Sequence, residues 1–232
     1  MVPLRDNNPT QTTAYITYAL IVLNVVIFLF EISLTPPQLN AFLQEWAVVP
    51  RELTSSFVNG TPAGEWITLF TSQFLHAGFL HLGGNMLFLW IFGNNVEDKL
   101  GHVRFILFYL LCGALAALAQ WFFAQQSPIP SLGASGAIAG VMGAYILRFP
   151  RAEVLTLLPL GIIITTVRLP AVLFLGFWFI QQAFNGTVSL NVQTDVGMSG
   201  GVAYWAHAGG FVFGAVLGPL FGLFSDKTRS DF

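Results

Sequence analysis

Charged side chains are scarce in this chain. Asp, Glu, Lys and Arg make up 9% of its 232 residues and hydrophobic residues 55%, whereas soluble domains carry roughly 25% charged residues. That balance excludes an ordinary soluble fold and points to an integral membrane protein. Positive charge is also in deficit, with 9 Lys and Arg against 11 Asp and Glu. Without a basic surface to neutralise phosphates, a nucleic-acid partner is excluded. Cysteine is nearly absent. Cys112 alone, inside an apolar run, allows neither a disulfide framework nor a thiolate metal site, and it reads as a small buried hydrophobe. A cleavable signal is lacking as well. The apolar run 16–30 follows a single cation, Arg5, and closes on Glu31 and the Pro36-Pro37 pair rather than on small residues, so it is read as a retained first span.

Long apolar runs are what the chain does have. A membrane helix needs about 20 mostly apolar residues, and six segments qualify: 14–34, 81–96, 103–124, 135–149, 169–184 and 205–224. The second and fourth are short, so their first residues are expected below the membrane surface. The run 154–167 is broken by Pro159 and Gly161 and bracketed by Arg148, Arg151 and Arg168. At about 14 residues it is expected to lie on the membrane surface. With the N-terminus in the cytoplasm, 8 of the 9 basic residues then fall on the cytoplasmic side and only Arg51 outside, as the positive-inside rule requires. The fold expected is all-α: a six-helix membrane domain over 14–224 between cytoplasmic tails 1–13 and 225–232. Its long first outer loop, 35–80, carries Trp46 and Trp66 and should lie partly among headgroups. No long transit segment precedes the first helix, which favours a bacterial inner membrane.

The second, fourth and sixth helices would all run from outside to inside, and uncommon polar residues gather at their starts. These are His81 and Asn85, then Ser135, then His207. Polar groups in the membrane interior are costly and turn toward the bundle or a water-filled cavity, so four at one level indicate one polar pocket. Gly136 and Gly140 are spaced by four, as are Gly210 and Gly214. Small residues at that spacing let helix backbones approach closely. If the fourth and sixth helices meet along these faces, Ser135 comes within reach of His207, and a neutral imidazole next to a serine hydroxyl is an activated nucleophile. Donors for an oxyanion are available in His81, Asn85 and the Ser135 backbone N–H. No orienting acid sits at this depth, and Asp195 in the last outer loop would have to fold inward, so a two-residue dyad is expected. Taken singly, Ser135 would be a packing serine bonded to its own helix and Asn85 interhelical glue; the joint pattern carries the functional reading. Glu97 is expected to be a structural partner of Lys99 or of backbone amides, and His76 a surface or loop-ordering residue.

These motifs resemble a known family. His81-Leu-Gly-Gly-Asn85, Gly133-Ala-Ser135-Gly136 and Ala206-His207-Ala-Gly-Gly210-Phe-Val-Phe-Gly214 are similar to the three signature segments of rhomboid intramembrane serine proteases of the compact six-helix form. The resemblance implies Ser135 as nucleophile, His207 as its base and His81, Asn85 and the Ser135 amide as the oxyanion site. It implies a substrate gate on the fifth helix at Phe174, Phe177 and Trp178, and a cap formed by the loop 185–204. Substrates would be proteins with transmembrane helices, taken from the lipid bilayer and cut without metal or organic cofactor; oligomeric state is left open. Two departures stand out: Trp66 is followed by Ile67 rather than Arg, and Ala139 takes the place where some members pack a tyrosine on the histidine. A rival reading is a non-catalytic rhomboid-like chaperone or a small transporter using the same pocket to bind.

Overall fold

Glycine decides which helices touch. A computed structural model describes residues 1–60, 64–161, 163–191 and 202–225. Its helices are α1 (Tyr15–Glu31), α2 (Pro36–Trp46), α3 (Pro50–Asn59), α4 (Gly64–Thr71), α5 (Phe79–Leu100), α6 (His102–Phe123), α7 (Ser135–Arg148), α8 (Ala171–Asn191) and α9 (Tyr204–Leu220). A Cβ on Gly214 would land inside the Gly140 carbonyl, one on Gly210 inside the Gly136 carbonyl, and one on Gly143 inside the Phe211 carbonyl. α7 and α9 therefore meet backbone to backbone. The third side of this contact is α6, where Ala116 fills the space beside Gly136 and Cys112 the space beside Gly140.

The exterior of the helices is apolar, and several polar groups lie buried within an otherwise apolar core. Val22, Val26 and Leu29 of α1 and Val103 and Leu107 of α6 are exposed, whereas Thr17, Asn24, Glu31, Asn95 and Glu97 are buried. An apolar exterior around polar interior contacts suits lipid as the solvent. α6 and the 171–190 stretch of α8 are long and apolar enough to cross a membrane by themselves, and α1 is a shorter apolar helix.

The buried acids close helix ends. α1 has no capping side chain of its own. The Glu97 carboxylate on α5 accepts instead from the Ile16 and Thr17 N–H groups, at 2.9 and 2.8 Å, and from the Thr17 hydroxyl at 2.7 Å. Those N–H groups are the orphan donors of a helix start, and a carboxylate there also meets the positive end of the helix dipole. Glu97 thus serves backbone amides as expected, but Lys99 pairs with Asp98, at 3.0 Å.

The structure adds to or corrects the expected fold in three places. The fold is not purely α, because the run 154–167 forms an antiparallel hairpin of β2 (Glu153–Leu160) and β3 (Ile163–Pro170). The segment 1–13, expected as a cytoplasmic tail, supplies β1 (Val2–Asp6), giving a sheet of order β1-β2-β3. The signals were the β-branched Ile, Thr and Val residues and Gly161, whose φ of 66° opens the turn. Pro159 argued against a strand, but β1 pairs with β2 only as far as Leu157. Pro159 therefore lies beyond β1, where a missing N–H is tolerated. The N-terminal segment is tied down further. Asp98 accepts from the Gln11 and Thr12 N–H groups at 3.0 and 2.8 Å, and the Tyr145 hydroxyl of α7 donates to Asp6 at 2.5 Å. The stretch 35–80, expected as a loop, folds into α2, α3, α4 and a 3₁₀ turn, Ser72–Phe74. Pro36 and Pro50 open α2 and α3. The C-terminal residues 226–232 lie outside the described residues.

Gly214→Leu has no relaxed solution, since its side chain would meet backbone rather than a movable side chain. It should destabilise the fold by about 3 kcal/mol or more. Gly176→Ala, with nothing near the added Cβ, should gain about 0.5–1 kcal/mol from the helix interior. Unfolding of the detergent-solubilised protein measures both.

Candidate active site

Three helix starts converge on one cavity. Ser135 opens α7, His207 lies in the first turn of α9, and His81 and Asn85 share a face of α5 near its beginning. All four line a cavity of about 200 Å³ together with Gly84, Phe88, Ile138, Met142 and Trp178. The Ser135 hydroxyl lies 2.8 Å from His207 Nε2. The backbone contact of α7 and α9 sets that distance, because both side chains leave their helices immediately beside the glycine faces. Ser135 is also the first helical residue, so its N–H belongs to the unpaired first turn of α7.

On α5 the two polar groups are held separately. The Asn85 amide donates from Nδ2 to His76 Nε2 at 3.0 Å, leaving its second N–H for another acceptor. His81 Nδ1 accepts a long bond, 3.4 Å, from the Ala77 N–H. In the neutral ring that leaves the proton on Nε2. This edge faces Gly133, where a Cβ would come within 2.8 Å of both Cε1 and Nε2. Gly133 has φ of 123°, which also favours glycine. The ring edge of His81 and the amide of Asn85 thus lie against the loop that delivers Ser135.

Two residues matter here that sequence reasoning misjudged or missed. Of the two expectations for His76 the surface one fails, since it is 4% exposed; it orders its corner and also holds Asn85. Its own N–H donates to both carboxylate oxygens of buried Glu31, at 3.2 Å each. The other is Gln182 on α8. Its Oε1 lies 2.9 Å from His207 Nδ1, so the orientation that Ala139 leaves undetermined comes from another helix. Its sequence signal was a polar residue at helical spacing four after Trp178. The expected loop 185–204 begins later than read, since α8 continues to Asn191. Asp195 lies outside the described residues. Of the expected gate residues, Trp178 lines the cavity with its ring 5.7 Å from that of His207. Phe174 is buried against Phe88 and Phe92 of α5, at 6.4 and 6.3 Å between rings. Phe177 is 53% exposed, facing away.

A helical bundle with an apolar exterior and a partly buried serine–histidine pair at the mouth of two glycine-packed helices defines a class of membrane protein. The Rhomboid domain model matches residues 63–224. The chain is 31% identical over 219 residues to Rhomboid protein 1, mitochondrial, of Saccharomyces cerevisiae, covering 92% of this chain and 55% of that protein. It is 36% identical over 168 residues to Rhomboid protease GluP of Bacillus subtilis, covering 72% of this chain and 29% of that one. RHOMBOID-like protein 6, mitochondrial, of Arabidopsis thaliana is 29% identical over 239 residues, with 92% and 71% covered. This chain thus spans about half the length of the yeast protein and less than a third of the Bacillus one. It belongs to the rhomboid family, and it is an integral membrane protein.

His76 lies in the corner between the 3₁₀ turn and α5. Burial, helped by the neighbouring His81, pushes its pKa down from 6.5 to about 4. A histidine with a lowered folded pKa takes up its proton later than the unfolded chain does, so its contribution to stability is lost as pH falls from about 6.5 toward about 4. His76→Gln should lack this component. Melting curves of both proteins across that window should converge as the pH drops.

Proposed function

We propose that this protein is an intramembrane serine endopeptidase that cuts peptide bonds in or beside the transmembrane helices of other membrane proteins. The observation that carries the reading is the 2.8 Å approach of Ser135 Oγ to His207 Nε2 in a cavity that also holds His81 and Asn85. As a carbonyl carbon enters, Ser135 attacks it and its proton passes to His207 Nε2. The negative charge collects on the carbonyl oxygen, where the His81 Nε2–H, the second Asn85 N–H and the Ser135 backbone N–H are the donors. His207 then gives its proton to the departing amine. Water attacks the acyl ester, again deprotonated by His207, and Ser135 is released. Every step is proton transfer and acyl transfer, and none calls for a metal or organic cofactor.

In this reading α1, α5, α6, α7, α8 and α9 are the six spans. The termini lie on the side with 8 of the 9 basic residues, the cytoplasmic face of a bacterial plasma membrane. A substrate helix enters from lipid between α5 and α8, where Phe174 and Trp178 bridge the gap. Helical carbonyls are engaged in hydrogen bonds, so substrates that unwind easily, with Gly, Ala or Ser near the cut, are favoured. Relatives named as proteases support this reading.

Reconstituted in liposomes with a single-pass model substrate, the wild-type chain should cleave it, and Ser135→Ala and His207→Ala should not. Asn85→Ala should lower kcat by about 10²–10³. Robust cleavage by Ser135→Ala would refute the assignment.

A further inference from the structure

The geometry points to Gln182 as a positioning residue that makes the Ser135–His207 pair a triad, its third member supplied by α8. If Ser135 is the nucleophile, as proposed above, His207 must keep Nε2 unprotonated to accept the hydroxyl proton. With Oε1 of Gln182 turned toward Nδ1, the two bonds to the ring fit one tautomer. Oε1 of Gln182 accepts from Nδ1–H at 2.9 Å, and Nε2 is then left as the acceptor for Ser135 at 2.8 Å. The reversed amide would donate to Nδ1 and leave Nε2 carrying the proton, unable to act as base.

Burial gives a second reason. Gln182 is 7% exposed on a helix without a single charged residue, where an unpaired amide would be costly. Its polar end finds His207. Trp178, one turn earlier on the same face of α8, packs against the same ring. α8 therefore grips the imidazole twice, by contact and by hydrogen bond. Neighbouring Gln181 is exposed and plays no part in this grip.

No other charge competes for the role among the described residues. α8 has no titratable residue in its described span, and α9 has none besides Tyr204 and His207. α7 carries Tyr145 and Arg148 in its distal half; α6 carries His102, Arg104, Tyr109 and Cys112, and its Arg104 lies beside Gly222 beyond the far end of α9. His81 on α5 shares the cavity with His207. A neutral amide cannot stabilise the imidazolium as a carboxylate does, so the role of Gln182 is orientation and tautomer. Because it rides on α8, any movement of that helix away from α9 also releases the base.

The test uses the full chain in detergent, with a fluorophosphonate probe and a fluorogenic transmembrane peptide. Gln182→Met keeps the size and removes the acceptor. It should lower both kcat and the labelling rate by about 10- to 100-fold, with KM within about twofold. Gln182→Glu restores an acceptor. It should recover most of the rate and move the acidic limb of the pH–rate profile upward by about one pH unit, because a carboxylate favours the protonated imidazole. Gln181→Met should match wild type. Gln182→Met within twofold of wild type overturns the proposal, as does Gln182→Glu with neither recovery nor a moved limb, which would mark a packing role. Should Gln182→Met not purify as a folded protein, the limb of Gln182→Glu decides alone. Ser135→Ala separates the two levels: if it still cleaves, the protease reading fails; if it is dead while Gln182→Met is fully active, only the role of Gln182 fails.

Discussion

The close approach of α7 and α9 is the constraint on which the rest of this molecule depends. Two helices carrying ordinary side chains pack 8–10 Å apart. Here Gly140 and Gly214 leave backbone against backbone, and residues at the starts of both helices share one small cavity. Lipid supplies no hydrophobic force to drive helices together, so close packing of small residues has to do it. Once α7 and α9 are in contact, the hydroxyl of Ser135 and the imidazole of His207 have little choice but to meet.

Around that contact the polar groups are arranged in pairs, each fixing the next. Glu31 holds the backbone at His76, His76 holds the Asn85 amide, Gln182 holds the His207 ring, and Glu97 closes the start of α1. Glu31, His76, Asn85, Gln182 and Glu97 are buried, where leaving a polar group unpaired costs about 1–3 kcal/mol. A single substitution in such a chain is felt by its neighbour. In the proposed site these bonds fix where the donors and acceptors point. The cavity wall formed by Trp178 belongs to α8, one of the outer helices of the bundle.

Much of this was legible in the residues. Apolar length marked the helices that became α1, α5, α6, α7, α8 and α9 to within a few residues at most ends, because lipid-facing helices are hydrophobic over their whole length. The four-residue glycine spacing indicated which faces would touch. The sheet was missed because 154–167 reads equally as an interfacial helix or a strand by hydropathy, and its partner β1 lies some 150 residues away, where local patterning carries no information. Gln182 escaped notice for a related reason: one amide in an apolar helix looks like any other until a second helix shows what it faces. His76 was underrated because burial of a corner residue depends on the packing of α1 against α5, which no local signal encodes.

The most direct test of the central claim is to find which atom of the folded chain is nucleophilic. Incubation with a fluorophosphonate in detergent, followed by peptide mass spectrometry, should locate one adduct, on Ser135, and its formation should collapse in His207→Ala. An adduct on another residue, or labelling of Ser135 that proceeds equally well without His207, would show that the pairing of these two groups is not what the glycine contact was built to achieve.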